Sequence, residues 1–353
     1  MSRPKTTRAA ILVELEKPLV IGEIALPDRL DPGQVLVQVQ YSGICGSQLG
    51  EIDGAKGEDR FLPHLLGHEG SGTVLEAGPG VGHVTAGDKV VLHWRKGQGI
   101  ESSPPSYSWR GRKLNAGWIT TFNQHAVVSE NRLTAIPADS DMEVAALFGC
   151  AVTTGFGVVQ NNARLRIGES VVVFGAGGVG LNIVQAAVLV GAFPVIAVDL
   201  HDNRLSLARR IGATHMINSA REDAAARIRE IAGRAGVDAF IDNTGQPAII
   251  QMGYELTGPR GRVTLVGVPR KGNDIAIYSL PLHFGKVLSG SHGGEAVPDQ
   301  DIPRYHALFK AGRIRLRELI TDQFELDEIN TAIRKMRDGS LAGRCLIRMA
   351  GAK

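Results

Sequence analysis

Residues 171–180 read Val171-Val172-Val173-Phe174-Gly175-Ala176-Gly177-Gly178-Val179-Gly180: four apolar residues suited to a strand, then GxGxxG on Gly175, Gly177 and Gly180. A helix-like stretch, Leu181 to Val190, follows directly. Context makes the motif specific, because a strand, a glycine turn and a helix N-terminus together aim backbone N–H groups and positive potential at a pyrophosphate. The glycines permit the tight turn, close approach of the phosphates and close helix packing. Gly178 and Val179 complete the loop, which needs no lysine. Asp199 ends the next predicted strand, Val195 to Asp199, 19 residues after Gly180. A carboxylate there accepts hydrogen bonds from an adenosine ribose and repels a 2′-phosphate, which favours NAD over NADP. Arg204 lies near enough to meet a phosphate, but the acid at the strand end is expected to dominate. The plain alternative is a glycine turn and a solvated aspartate that bind nothing.

Working outward, strand and helix patterns keep alternating. Asn203 to Ile211, Ala224 to Ala232 and Ala248 to Leu256 read as helices, and Thr214 to Ile217, Asp238 to Asp242 and Val263 to Gly267 as strands. Repeated βα units predict a doubly wound parallel sheet. Upstream, from Ala9 to about Val128, short β runs such as Val35 to Gln40 and Thr73 to Glu76 are divided by Gly, Pro and Asp, which predicts an irregular β-rich region. After Lys286 to Gly290 the pattern changes again, to helices over Ile302 to Lys310 and Leu326 to Met336 and a last strand over Cys345 to Met349. This tail is expected to rejoin the β-rich region.

Composition bounds the class. The chain has 353 residues, 39 basic against 36 acidic for a net +3, and is 43% hydrophobic. At about 150 residues per domain this allows about two domains, and it speaks against general disorder or a polyanion-coating protein. Glycine is in excess, 44 residues or about 12% against an average near 7%, without a collagen period, so it is expected to mark turns. Three cysteines, Cys45, Cys150 and Cys345, are too few and too odd for a disulfide framework; they favour a reducing cytoplasm and raise metal chemistry as a second explanation. The apolar run Ala9 to Val13 is shorter than an export signal's core. The uncharged stretch Ser170 to Val198 is broken by six Gly and Pro residues, which reads as turns and not as a membrane span.

Cys45 in Gly-Ile-Cys-Gly, His68 in Gly-His-Glu and Cys150 in Gly-Cys offer two thiolates and an imidazole, a donor set suited to tetrahedral zinc with one open position. Spacing alone is weak, because a buried cysteine is usually a small hydrophobe and a lone histidine usually structural. The wider pattern adds to it. Gly67-His68-Glu69-Gly70-Ser71-Gly72, continuing to Gly78-Pro79-Gly80-Val81, and Cys150 to Gly157, reading CAVTTGFG, resemble the zinc and third-ligand segments of the zinc-dependent medium-chain dehydrogenase/reductase family, the zinc alcohol dehydrogenases. The similarity runs over nearly the whole chain.

The resemblance implies a GroES-like irregular β catalytic domain over residues 1–151 and 291–353, with a doubly wound Rossmann NAD-binding domain over residues 152–290 inserted and the active cleft between them. It implies that Cys45, His68 and Cys150 hold one catalytic zinc, with Glu69 beside it. Ser47 would pass the alcohol proton toward the nicotinamide ribose. Thr154, Val266 and Val268 would contact the nicotinamide, and Arg344 would reach the pyrophosphate. The bland readings are a local cap for Ser47 and Thr154, strand packing for the valines, an exposed arginine for Arg344 and a buried small residue for Cys345.

Three departures stand out. Many relatives carry a histidine where this chain has Gly50, and an acid where it has Gln48, so the proton relay and the surroundings of His68 differ. No cysteine lies between Cys45 and Cys150, so the four-cysteine structural zinc of many relatives cannot form. In its place His93 to Trp118 holds Trp94, Trp109, Trp118 and Tyr107 with five basic residues and one acid. Basic and aromatic residues together can hold single-stranded nucleic acid, yet no nucleic-acid motif accompanies them, so a pocket wall or a subunit interface is expected. Trp94 is the candidate substrate-pocket residue, and arginines overhanging the cleft would favour a polar or anionic substrate.

The leading expectation is therefore an enzyme, NAD-dependent and zinc-dependent, exchanging hydride between a polar primary or secondary alcohol, polyol or sugar-like compound and its carbonyl form. It would work as a homodimer or homotetramer, without nucleic acid or membrane as partner. The alternatives are a zinc-free quinone or enoyl reductase on the same scaffold, and a dinucleotide-binding scaffold without turnover.

Overall fold

A computed structural model describes residues 3–349. Six parallel strands form the sheet that the glycine motif announces, in the order His215–Asn218, Val195–Asp199, Val171–Phe174, Val237–Asp242, Thr257–Leu265 and Val287–Gly290. Val171–Phe174 lies at its centre and is buried on both faces, as a helix-covered parallel strand requires. Its side chains alternate between two cores. Val172 and Phe174 meet Ile196, Ile228, Phe240 and Tyr254, while Val171 and Val173 face Leu181, Ile183 and Val184 of helix Gly178–Leu189. The second core also takes in Met142 to Phe156 and Ile302, Tyr305, Leu316 and Leu319, so the segments flanking the βα run are packed against it.

The β-rich half makes two further sheets. The larger is ordered Leu133–Ile136, Lys89–His93, Glu69–Ala77, Gln34–Gly43, Arg344–Arg348, Ile320–Glu325, with His125–Ser129 also paired to Gln34–Gly43. The tail does rejoin it, since Arg344–Arg348 pairs antiparallel with residues Tyr41 to Gly43. The smaller sheet is ordered His64–Leu65, Thr6–Leu12, Val20–Ala25, Tyr107–Trp109, Arg112–Leu114.

The segment over residues 93–118 is held by carboxylates. Glu130 accepts hydrogen bonds from the backbone N–H groups of Gly82, His83 and Ile100 at 2.7, 2.8 and 2.8 Å, which keeps its carboxyl below the usual range against the opposing effect of burial. Asp299 accepts from Gln98 N–H at 2.6 Å. Beyond them the chain turns as a hairpin at Arg110-Gly111, both with positive φ, suited to the twist of a two-residue loop. This corrects the expectation that the arginines of this segment overhang the cleft. The three tryptophans separate, Trp94 toward the cleft, Trp109 under the Arg110 guanidinium and Trp118 under that of Arg132. Arg110, Arg112 and Lys113 are exposed on the hairpin and do not line the cleft, because two strands carry the hairpin onto the edge of the smaller sheet.

Candidate metal centre and dinucleotide cleft

Glycines flank two of the three candidate ligands where a side chain would not fit. Gly67 has φ +95°, and a Cβ there would lie 2.3 Å from Thr121 Oγ1; the bend it permits puts His68 at the cleft just before strand Glu69–Ala77. Cys45 caps helix Gly46–Ile52 and Cys150 caps helix Ala151–Gly157. Gly149, whose Cβ would meet Leu92 O at 2.2 Å, lets the second helix press onto the sheet. The ligand atoms of Cys45, His68 and Cys150 all lie within 4.8 Å of one another.

The two sulfurs are 4.0 Å apart, close to the about 3.8 Å that two tetrahedral Zn–S bonds of about 2.3 Å subtend. The Cys150 thiol donates to Cys45, which holds Cys45 well below the ordinary thiol range and pushes Cys150 well above it. Two buried sulfurs 4.0 Å apart beside an imidazole are an arrangement that a divalent cation suits. The donor set fits zinc with one position open. The hydrogen bond of the Gln48 side chain goes to Cys45, not His68. Gln48 Oε1 accepts from Cys45 N–H at 3.1 Å, while its buried Nε2 has no partner among the described residues.

Glu69 is fully buried and ion-paired with Arg344, itself 4% exposed, and its other oxygen accepts from Ala151 N–H at 3.4 Å. Arg344 extends over the glycine loop: a Cβ on Gly178 would lie 2.2 Å from its Cδ. It is therefore buried and placed between the metal donors and the dinucleotide loop, where the sequence allowed an exposed position as well.

The glycines of the loop differ in what they do. Gly175 has φ +93°, and a Cβ on Gly180 would lie 1.9 Å from Gly175 O, so the protein itself requires both. A Cβ on Gly177 would meet nothing within 4 Å, and its φ of −74° is ordinary; the protein leaves this position open to the cleft. Asp199 Oδ2 accepts from Ala176 N–H at 2.7 Å and Oδ1 from His201 N–H at 3.0 Å. Arg204 pairs with Asp199 at 3.6 Å and donates to Leu341 O at 3.4 Å, so this cation is already engaged.

One cleft of about 1130 Å³ runs from the metal donors to Asp199. Its walls include Ser47, Thr154, Gly175, Gly177, Gly178, Val179, Gly180, Arg204, Val266, Val268, Trp94 and Arg344; Glu69 lies behind the wall. His292, next to Trp94, was missed by sequence reasoning, and its signal was a Ser-His-Gly-Gly run directly after a strand.

Residues 31–138 match the sequence pattern of the alcohol dehydrogenase GroES-like domain, and residues 178–311 that of the zinc-binding dehydrogenase. The chain is 31% identical to an S-(hydroxymethyl)glutathione dehydrogenase of Paracoccus denitrificans and 32% identical to a class-3 alcohol dehydrogenase of Cereibacter sphaeroides, each match covering 94% of this chain and 97% of the relative. The chain belongs to the zinc-dependent medium-chain dehydrogenase/reductase family. Benzyl alcohol dehydrogenase of Acinetobacter calcoaceticus superposes with a TM-score of 0.88 at 29% identity, over 98% of this chain and 100% of that one. As a family member the chain is a zinc-dependent alcohol oxidoreductase, with the GroES-like and Rossmann architecture expected. No helix among the described residues is long and apolar enough to cross a membrane.

Proposed function

We propose that this zinc alcohol dehydrogenase uses NAD, carries one zinc per chain on Cys45, His68 and Cys150, and oxidises polar primary or secondary alcohols or reduces the matching carbonyls. The observation that carries the reading is the convergence of the three donors on the cleft that also holds the open Gly177 turn and Asp199. When bound, zinc supplies Lewis-acid polarisation of the reacting oxygen, and the nicotinamide supplies the hydride acceptor or donor. The chain's residues then act around that chemistry. Ser47, two residues after Cys45 and on the cleft wall, holds the alcohol proton and passes it outward. Arg344 and the Gly175–Gly180 turn bind the pyrophosphate. Thr154, Val266 and Val268 seat the nicotinamide, and Trp94 shapes the substrate side. Glu69, paired with Arg344, couples the metal side of the cleft to the phosphate side. Asp199 accepts the ribose hydroxyls, and Arg204 is already paired to it.

The catalytic domain comprises residues 1–151 and 291–353 and the NAD-binding domain residues 152–290 in this reading. Three unpaired, buried cysteines suit a cytoplasmic setting, and assembly is a homodimer or homotetramer.

The test is a spectrophotometric screen of alcohols, polyols, sugars and their carbonyl counterparts with NAD or NADH, with zinc measured on the same sample. About one zinc per chain and oxidation of polar alcohols are expected, and Cys45→Ala loses zinc and turnover while keeping NADH binding. Full turnover by metal-free Cys45→Ala protein would reject the reading.

A further inference from the structure

Two threonines sit on the first turn of helix Ala151–Gly157, just after Cys150, and their hydroxyls behave differently. Thr153 does what threonine usually does in a helix and donates back to main-chain oxygens, Phe148 O at 3.1 Å and Cys150 O at 3.2 Å. Thr154 does not. It is 6% exposed, and its Oγ1 is buried without a hydrogen-bond partner of normal geometry among the described residues. Its backbone N–H closes the turn onto Cys150 O at 2.9 Å. A helical side chain leans toward the N-terminal end of its helix, so this hydroxyl faces back over Cys150.

A second donor comes from the sheet. A Cβ on Gly149 would lie 2.2 Å from Leu92 O, so the backbone beside Cys150 touches strand Lys89–His93 two residues before Trp94. The Trp94 ring stands edge-on to His68, with centroids 6.5 Å apart at 66°, and its Nε1–H is also buried without a partner of normal geometry among the described residues. Thr154 and Trp94 converge on one acceptor: Cys45 and burial push the Cys150 thiol well above its ordinary range, and hydrogen bonding from Thr154 and Trp94 works against that rise. As a thiolate ligand Cys150 keeps part of its negative charge on a sulfur that is 5% exposed as a residue, where charge without donors is costly.

We propose that Thr154 Oγ1–H and Trp94 Nε1–H are positioning donors for the Cys150 sulfur, closing hydrogen bonds onto it when it ligates zinc. This rests on the zinc reading above and gives that metal site partners beyond its ligands. Donors to a thiolate take up part of its charge, so less of it reaches the metal and the metal stays the stronger Lewis acid. The same donors lower the cost of burying the charge, and the loss of such a partner typically weakens metal binding by about 10–100-fold.

The test sets the cobalt(II)-substituted protein beside the zinc protein. Thr154→Val keeps the shape and removes the hydroxyl, Thr154→Ser keeps the hydroxyl, and Trp94→Phe keeps a ring without the N–H. Thr154→Val and Trp94→Phe are expected to move the sulfur-to-cobalt charge-transfer absorption to lower energy, and to weaken zinc binding about tenfold in competition with a chromophoric chelator. Thr154→Ser stays near wild type in both. A merely structural role loosens the zinc without moving the absorption. An unmoved absorption in either Thr154→Val or Trp94→Phe, or a shift in Thr154→Ser as large as that in Thr154→Val, overturns the proposal. Wild type that takes up neither metal overturns the zinc reading and this proposal together, whereas wild type that takes up the metal and cannot be told from its variants overturns this proposal alone.

Discussion

Asp199 is held from three sides, by Ala176 N–H, His201 N–H and Arg204, so its carboxylate is fixed before any ribose arrives. On the NAD reading proposed above, fixing it in advance removes an ordering cost at ribose binding and keeps the negative charge where a 2′-phosphate would sit. Asp199→Ala is expected to lower the preference for NAD over NADP by roughly tenfold to a hundredfold, the range for a hydrogen bond to a charged group, and the ratio of kcat/KM with the two cofactors checks it. A wild type that prefers NADP removes the assignment. Asp199 was legible in the sequence because strand and glycine turn fixed its distance from the loop. Cys45, His68 and Cys150 were legible through their flanking glycines and the family resemblance, since nothing in their spacing alone brings them together. The Glu69–Arg344 pair was not legible as a pair: 275 positions of chain separate two residues that only the pairing of Arg344–Arg348 with the sheet brings into contact.

At the scale of the element, the glycine turn divides into positions the fold needs and one that the fold leaves free. Gly180→Ala pushes a methyl group into Gly175 O, so it is expected to destabilise the chain by about 1–3 kcal/mol, in the range of overpacking. Gly177→Ala meets no protein atom and should leave the unfolding midpoint in urea within error while weakening NADH binding by tenfold or more. Fluorescence titration with NADH beside urea unfolding separates the two, and unaltered NADH affinity in Gly177→Ala would detach this turn from the cofactor. Long periodic elements were readable: helix Ala224–Ala232 and strand Val195–Asp199 fall where the sequence put them. Short ones were not. The hairpin Tyr107–Trp109 and Arg112–Leu114 has three residues on each side, too few for an alternating pattern to register, and its turn places Arg110 in the left-handed region, where a glycine or asparagine is the usual signal. Helix Pro298–Lys310 begins four residues before the expected Ile302. Pro298 at its first position was the start signal, and Pro303 inside it obscured the pattern.

At the scale of the molecule, the parallel sheet ends on Val287–Gly290, an edge strand with no partner on its outer side among the described residues. The chain leading into it exposes Tyr278 by 71%, Phe284 by 70%, Leu280 by 46% and Val287 by 44%. An open edge beside large exposed apolar side chains is a liability unless something covers it. In the homo-oligomer proposed above a second copy of the chain would meet both needs, because two such edges can pair antiparallel across a two-fold axis with the same residues on each side. Tyr278 and Phe284 lie outside the cleft lining, so replacing both by Asp should disrupt assembly and leave zinc content and NADH binding in place. Light scattering after size-exclusion chromatography is expected to give a dimer, or a tetramer built from dimers, for wild type, and a smaller species for the double variant. A wild-type monomer at tens of micromolar, or a double variant with unchanged mass, would leave this edge without the partner assigned to it.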